Sequence, residues 1–309
     1  MFYRDKDTPD RFYNVSRAVY KGNFFKGMLI SLKSFFSTLI RNPRAIIGLS
    51  IMLFFLFMVL GLRYIMPYDS TPNPDNMLLW PSWQHPLGCD QMGRDLFRRI
   101  IAGSKSIFLI SIFTAIFTIF LGVVLGLISG LAGGIVDRFI MFVANLFLTV
   151  PSFPIMLALA QILTISNPIV FAIILSVWSW AGLARAIRAQ IVSLRERDFI
   201  QICKVMNLSK AHILFSELLP NIMSYIVVNF VLVMRSAITA SVGIMMLGVA
   251  AYDHTNWGAM LNAASGSIIN PDALFVWLSP VIFVVLYQAG AVLLANGLDE
   301  VLNPRLRRL

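Results

Sequence analysis

Acidic residues, histidines and cysteines are scarce in this chain of 309 residues, which holds 15 Asp and Glu, three His and two Cys. None of the acidic residues or histidines falls within the long apolar stretches of the sequence. Proton- or sodium-coupled transporters usually carry a carboxylate or a histidine inside the membrane, and an intramembrane enzyme needs paired carboxylates, a His/Asp set or metal ligands there. The scarcity therefore argues against both classes. The cluster of His85, Asp90 and Asp95 matches no metal-ligand spacing, so we predict no metal site.

The chain also lacks a G-x-x-x-x-G-K-[ST] loop, the glycine-rich turn that cradles the phosphates of a nucleotide. We therefore expect neither a catalytic residue nor a cofactor in this chain. If the protein acts in an ATP-driven process, ATP and Mg²⁺ are bound by separate polypeptides.

Apolar residues, by contrast, are abundant. The chain is 58% hydrophobic and 13% charged, and its mean hydropathy is +0.78, which a bilayer accommodates and a soluble domain of this length does not. The formal charge of +10 would suggest nucleic acid in a soluble protein. Here the basic residues flank apolar runs and face an anionic lipid leaflet. We predict a lipid bilayer as a partner and no nucleic acid.

Six stretches are long and apolar enough to cross the hydrocarbon core as helices, which predicts an all-α integral membrane protein with six transmembrane helices. Pro151 and Pro154 lie in the third stretch and predict a kink there. The six stretches cover residues 45–66, 106–130, 139–163, 168–187, 222–248 and 274–297.

The distribution of Lys and Arg predicts that both termini lie inside, in a multi-pass protein of the cytoplasmic (inner) membrane. Most of the basic residues fall in segments that then face the cytoplasm, whereas the predicted outer loops 67–105 and 249–273 hold few or none. Residues 1–44 form a cytoplasmic N-terminal segment, in which the apolar spacing over 24–40 predicts an amphipathic helix lying in the inner interface. Residues 45–309 form the six-helix domain.

The predicted inner segment 185–221 is longer than a plain connector, and its pattern predicts a helix, a break and a second helix. Phe199, Ile202, Cys203 and Met206 recur at helical spacing, and Asn207 follows as a residue able to end a helix in the left-handed conformation. Ser209 is an expected N-cap of the second helix. An amphipathic helix displayed here either docks into a groove of another protein or rests on the lipid interface, and the residues alone leave both interpretations open.

This segment resembles the cytoplasmic coupling motif of bacterial ABC importer permeases, in which E-A-A is followed by three residues, G, nine residues and I-x-L-P. Arg197, Asp198, Phe199 and the segment 218–221 (LLPN) stand in register with it. Gln201, Ile202 and Cys203 replace E-A-A, and Asn207 replaces the glycine. The resemblance implies ATPase-coupling residues at Arg197, Asp198, Phe199, Gln201, Ile202, Cys203, Lys204 and Asn207.

A second segment, HPLGCDQMGRD at residues 85–95, resembles the H-P-L-G-T-D-x-x-G-R-D signature of the dipeptide/oligopeptide/nickel branch of these permeases. Weaker matches at residues 42–48, 257–260 and 303–306 extend the resemblance over nearly the whole chain. It implies the type I ABC importer permease fold and the second permease of the pair. We expect the signature to form a short helix at the pore mouth, with mutual charge pairing as the alternative, through Asp90, Gly93, Arg94, Asp95 and Arg99.

The resemblance also implies partners, namely a second homologous permease subunit, two cytoplasmic ATPase subunits and an extracytoplasmic solute-binding protein. The expected cargo is a peptide, either an oligopeptide or a dipeptide. Oligosaccharide and nickel remain alternatives within the same mechanism. The alternative class is an ATP-independent membrane transporter or a membrane enzyme.

Polar residues within the predicted spans are candidates for lining a pore. Arg235 stands out, because a cation at that depth is costly unless it faces the pore or a group on a partner. For the others, interhelical hydrogen bonding is the alternative explanation. These further candidates are Asn145, Gln161, Trp178, Asn229 and Thr239.

Overall fold

The computed structural model describes residues 37–162, 167–249 and 253–302. The regular structure in these ranges is helical, which confirms the all-α prediction. Most of the predicted interfacial helix over 24–40, and the match at 303–306, lie outside the described residues. The main helices are α1 (Pro43–Phe57), α2 (Leu96–Ala132), α3 (Gly134–Thr149), α4 (Ser152–Ile162), α5 (Pro168–Arg195), α6 (Asp198–Val205), α7 (Leu219–Met246), α8 (Trp257–Ala264) and α9 (Leu274–Leu302).

Five helical stretches in the described ranges are long and apolar enough to span a membrane, and the bent pair α3–α4 makes a sixth if it counts as one span. This agrees with the six predicted spans. The single stretches are longer than predicted, because capped helices continue beyond the apolar runs. They cover Pro43–Ile65, Leu96–Ala132, Pro168–Arg195, Lys210–Met246 and Pro271–Leu302.

The third predicted span is two helices rather than one kinked helix. α3 and α4 meet at 84°, with Val150 in an extended conformation between them. Pro151 disfavours the helical conformation of the residue before it, so it ends α3 at this point. Pro154 lies in the first turn of α4, where its missing N–H leaves no helical hydrogen bond unmade.

Caps explain where the longer helices begin. Asp95 accepts a hydrogen bond from the backbone N–H of Arg98 at 2.8 Å and so starts α2 well before the apolar run. Asn167 accepts from the N–H groups of Ile169 and Val170, and Pro168 follows at the first position of α5.

Small residues bring the helices close together. Gly122, Gly126 and Gly130 form a stripe on α2 that lies against α5, and a Cβ at any of them would lie within 2.8 Å of α5 atoms. Such a stripe lets two membrane helices pack closely. On the other side of the bundle, a Cβ on Gly48 of α1 would lie 2.2 Å from the backbone nitrogen of Leu294 in α9.

The largest buried cluster joins α1, α2, α7, α8 and α9, and Phe55 belongs to it. The ring centroid of Phe55 lies 5.7 Å from that of Trp257, 6.3 Å from that of Phe283 and 5.2 Å from that of Tyr287. The match at 257–260, which falls in a predicted outer loop, is therefore part of a short, buried helix that fixes that loop to the bundle.

Candidate functional site

The outer signature, residues 85–95, is organised around the carboxylate of Asp90, which is 2% exposed. Oδ1 accepts the backbone N–H groups of Met92 at 2.8 Å and Arg94 at 3.0 Å. Oδ2 accepts Nε of Arg94 and Nη1 of Arg99, both at 2.8 Å. The charges thus pair with one another. The expected short helix is wrong, because residues 90–94 form a turn that leads directly into α2.

Arg99 also links the Asp90 cluster to a loop that is distant in the sequence. Its Nη2 donates to the backbone oxygen of His254 at 2.7 Å, and Nε donates to the same oxygen at 3.3 Å. At the next residue of α2, the backbone oxygen of Ile100 accepts a hydrogen bond from Nε1 of Trp257 at 3.1 Å. The signature therefore ties the start of α2 to the segment that enters α8.

Two glycines of the signature are required by the fold of the turn. Gly88 and Gly93 have φ values of 77° and 73°, which non-glycine residues rarely adopt. A Cβ on Gly93 would also lie 1.8 Å from the backbone oxygen of Asn73. The turn consequently rests directly on the backbone of the preceding loop.

The remaining titratable side chains of the signature are held locally. Oδ2 of Asp95 lies 2.7 Å from Nδ1 of His85. Burial, with a smaller contribution from the nearby carboxylates, raises the pKa of the Cys89 thiol to about 11, so this thiol stays protonated at neutral pH. Cys89 and Cys203 are both buried free thiols. Within the described ranges, no group of three or more His, Cys, Asp or Glu side chains is placed to hold a metal ion.

The inner segment contains the predicted helix, break and helix. Asn207 follows α6 with φ of 55°. Its N–H donates to the oxygen of Lys204 at 3.0 Å, and the N–H of Leu208 donates to that of Cys203 at 3.1 Å, which is a Schellman motif. Ser209 accepts the N–H of His212 at 3.1 Å and caps the next helix. Both the break and the cap are confirmed.

The second helix does not end before the fifth span. Lys210–His212 leads into a wider π-helical turn, Ile213–Leu218, and from there into α7. Pro220 lacks an N–H and would crowd the carbonyl four residues earlier, and the wider turn relieves this crowding. Nδ2 of Asn221 donates to the oxygen of Glu217 at 2.6 Å. The part of the inner segment that follows the break is thus joined to α7 by continuous helix.

The helix α6 has two apolar faces. Ile200, 1% exposed, packs with residues of α5 and α7, and Cys203 is also buried. The prediction that Cys203 belongs to the docking face is therefore wrong, because this residue faces its own chain. Val205, at 87% exposure, belongs to the exposed face but was not predicted. The exposed apolar residues of this face are Phe199, Ile202, Val205 and Met206.

Polar residues border this exposed face. Gln201, which replaces the first position of the E-A-A motif, donates through Nε2 to the backbone oxygen of Arg195 at 2.9 Å. The Gln201 side chain thereby satisfies a carbonyl at the end of α5. Asp198 lies in the first turn of α6, where the helix dipole favours a negative charge. The side chains of Arg197, Lys204 and Asn207 are exposed beside them.

Two of the predicted pore residues come together on the exposed side of α7. Nε of Arg235 donates to Oε1 of Gln288 in α9 at 2.8 Å, and Nε2 of Gln288 donates to Oγ1 of Thr239 at 2.6 Å. Gln288 was not predicted. Its only signal in the sequence is that it is a polar residue in the middle of the sixth apolar stretch.

Asn229 lies on α7 too and lines a groove between α5 and α7. This groove has a volume of about 300 Å³ and is also lined by Ser179, Tyr225 and Ser236. Nδ2 of Asn229 donates to the oxygen of Tyr225 at 2.9 Å. Leu183, Leu232 and Val233 line the groove as well, so it is an uncharged surface of mixed polarity beside the helix that carries Arg235.

The other three predicted pore residues lie on other helices. Asn145 accepts a hydrogen bond from Arg185, and Gln161 is exposed near the end of α4. Trp178 packs against Phe147, with ring centroids 5.2 Å apart, and its Nε1 has no hydrogen-bond partner among the described residues. No hydrogen bond in the described part of the chain joins any of these three to Arg235.

Comparison with known proteins finds a matching family model and similar permeases. The family model described as "Binding-protein-dependent transport system inner membrane component" matches residues 122–308, beginning within the last third of α2. A Brucella ovis protein named "Putative peptide permease protein" is 32% identical over 270 residues, which is 86% of this chain and 88% of the relative. "Glutathione transport system permease protein GsiD" of Salmonella typhimurium is 33% identical over 271 residues, with the same shares covered.

Proposed function

This chain belongs to the family of binding-protein-dependent transport system inner membrane components, and on that premise we propose that it forms half of the path by which an ABC importer takes up peptides. As a member of that family, the chain is an inner-membrane permease that works with other transporter subunits and is not itself catalytic. Two observations support peptides as the cargo. One relative is named a peptide permease, and another is named for glutathione, which is a short peptide.

The proposed assembly contains this chain, a second homologous permease, two cytoplasmic ATPase subunits and an extracytoplasmic binding protein that delivers the peptide. ATP and Mg²⁺ are held by the ATPase subunits, and this chain holds no cofactor. The exposed apolar face of α6 carries the proposal. Phe199, Ile202, Val205 and Met206 form a compact apolar surface at the end of the bundle that the basic residues place inside. Such a helix suits docking in a groove of another protein.

The connections of α6 supply a mechanism. Its buried residue Ile200 packs with α5 and with the lead-in to α7. The stretch Lys210–Met246, which begins after the break, is helical throughout. A movement of α6 that reaches this stretch through the packing of Ile200 is therefore passed along it to the middle of the membrane. Closure of the ATPase subunits would therefore tilt α7, which carries Asn229, Arg235 and Thr239. We assign the coupling contact to Arg197, Asp198, Phe199, Gln201, Ile202, Lys204 and Asn207.

The outer signature has a supporting role in this proposal. Asp90, Arg94 and Arg99 fix the loop at the outer mouth, and the groove and polar residues of α7 line the path below it. Asn145, Gln161 and Trp178 take part in helix packing or in contacts with the companion permease rather than in the path along α7.

Purification of the tagged chain from its native membrane tests the assembly. We expect a second permease and an ATPase to copurify, and we expect the ATPase activity of the complex to rise when binding protein and peptide are added together. A chain that purifies without any ATPase and transports its cargo in proteoliposomes without ATP would contradict the proposal and favour an ATP-independent transporter.

A further inference from the structure

We propose that Arg235, oriented by Gln288, binds the terminal carboxylate of the transported peptide as it passes through the membrane. This inference rests on the proposed function and adds to it a residue that selects the cargo. Arg235 lies well inside the predicted span 222–248 and is exposed on the surface of the single chain.

A charge in this position needs an anion or water. Among the described residues, no carboxylate lies within ion-pair distance of Arg235, and the six predicted spans contain no Asp or Glu. A cation facing hydrocarbon is costly, so the exposed side of α7 at Arg235 faces a water-filled path or another chain. The outward face must therefore be covered by something other than lipid.

The other residues on the exposed side of α7 favour a water-filled path over another chain as the neighbour of Arg235. Tyr225, Asn229, Ser236 and Thr239 recur along α7 at helical spacing, and the first three line the groove of about 300 Å³ between α5 and α7. Ser236 and Thr239 are exposed, as is Arg235 beside them. Leu232 interrupts these polar residues on the same face, but their number still suits a hydrated cargo better than lipid tails.

The contacts of Arg235 leave part of its guanidinium free to bind a carboxylate. Gln288 accepts from Nε at 2.8 Å and is itself held by its hydrogen bond to Thr239. Because Gln288 is neutral, it orients the guanidinium without cancelling its charge. The Nη1 and Nη2 edge has no hydrogen bond to any described residue, and its two parallel donors match the two oxygens of a carboxylate.

A peptide presents such a group at its C-terminus unless that end is amidated. The experiment is uptake by the whole transporter of one labelled peptide in two forms, with a free C-terminal carboxylate and with a C-terminal amide, chosen so that the binding protein binds both equally. In Arg235→Gln we expect uptake of the free acid to fall at least tenfold, equivalent to about 1.4 kcal/mol, while uptake of the amide changes less than about twofold. Arg235→Lys should retain part of the preference, since it keeps the charge but loses the paired donors.

Arg138→Gln is the matched control, because it removes an exposed arginine at the inner end of α3, and it should leave both uptake rates unchanged. An equal loss of both forms in Arg235→Gln would overturn the inference and indicate that Arg235 pairs with the companion permease. Unchanged uptake of both forms would overturn it as well. In either case, peptide uptake by the unmodified transporter would leave the proposed function standing.

Discussion

Replacing Asp90 with alanine is expected to lower the apparent melting temperature of the purified protein by roughly 10 °C. The carboxylate of Asp90 is buried and accepts four hydrogen bonds, one of them from the equally buried guanidinium of Arg99. Removing one member of a buried ion pair leaves the other charge without compensation, which costs about 3–5 kcal/mol. Fluorescence-detected size-exclusion chromatography after heating in detergent measures the change.

The matched control is Asp75→Ala, in the same outer loop. The side chain of Asp75 is exposed, and the change should cost less than about 0.5 kcal/mol. The melting temperature of Asp90→Asn should lie between those of the two alanine variants, because the amide keeps an acceptor for the backbone N–H groups but loses the charge. If Asp90→Ala melted within about 2 °C of the unmodified protein, the cluster would not stabilise the outer loop as the geometry indicates.

Phe199→Asp is expected to abolish uptake while the protein remains folded in the membrane. Phe199 is 37% exposed and belongs to none of the buried clusters among the described residues, so an aspartate there leaves the core of its own chain intact. At an interface, the change removes an aromatic contact and buries an unpaired charge, and such central positions carry about 2 kcal/mol or more of binding energy. We expect copurification of the ATPase to fall at least about tenfold.

Two further variants separate docking from folding. Phe199→Leu keeps an apolar side chain and should retain most of the uptake. Cys203→Ser changes a buried position of α6 and should lower thermal stability more than it lowers copurification of the ATPase. Normal ATPase binding and normal uptake by Phe199→Asp would exclude the exposed face of α6 as the coupling surface.

Local rules of chain conformation account for the features that could be predicted from the sequence. Asn207 ends α6 and Ser209 caps the next helix as expected, because each depends only on residues within one turn. The position of the break at Pro151 follows from the same kind of rule. The angle of 84° does not, since α4 packs against α5 and α7, which lie outside the two helices that meet at the break.

Contacts between distant parts of the chain could not be predicted. The sequence indicates a charged outer segment, but the acceptor for Arg99 at His254 is 155 positions away. Gln288 lies 53 positions from Arg235, and no local pattern connects the two.

The apolar spacing in α6 does not show which face of this helix is buried, for a different reason. Both faces of this helix are apolar, so spacing alone does not tell which one packs on the bundle, and Cys203 was placed on the wrong one.

Uptake of labelled oligopeptides and of labelled oligosaccharides, in cells with and without this chain, tests the central claim most directly. The companion permease, the ATPases and the binding protein are present in both strains. We expect peptide uptake to be lost without the chain and sugar uptake to be unaffected. Loss of sugar uptake alone would contradict the assignment of peptides, and no change in either would contradict the transport function itself.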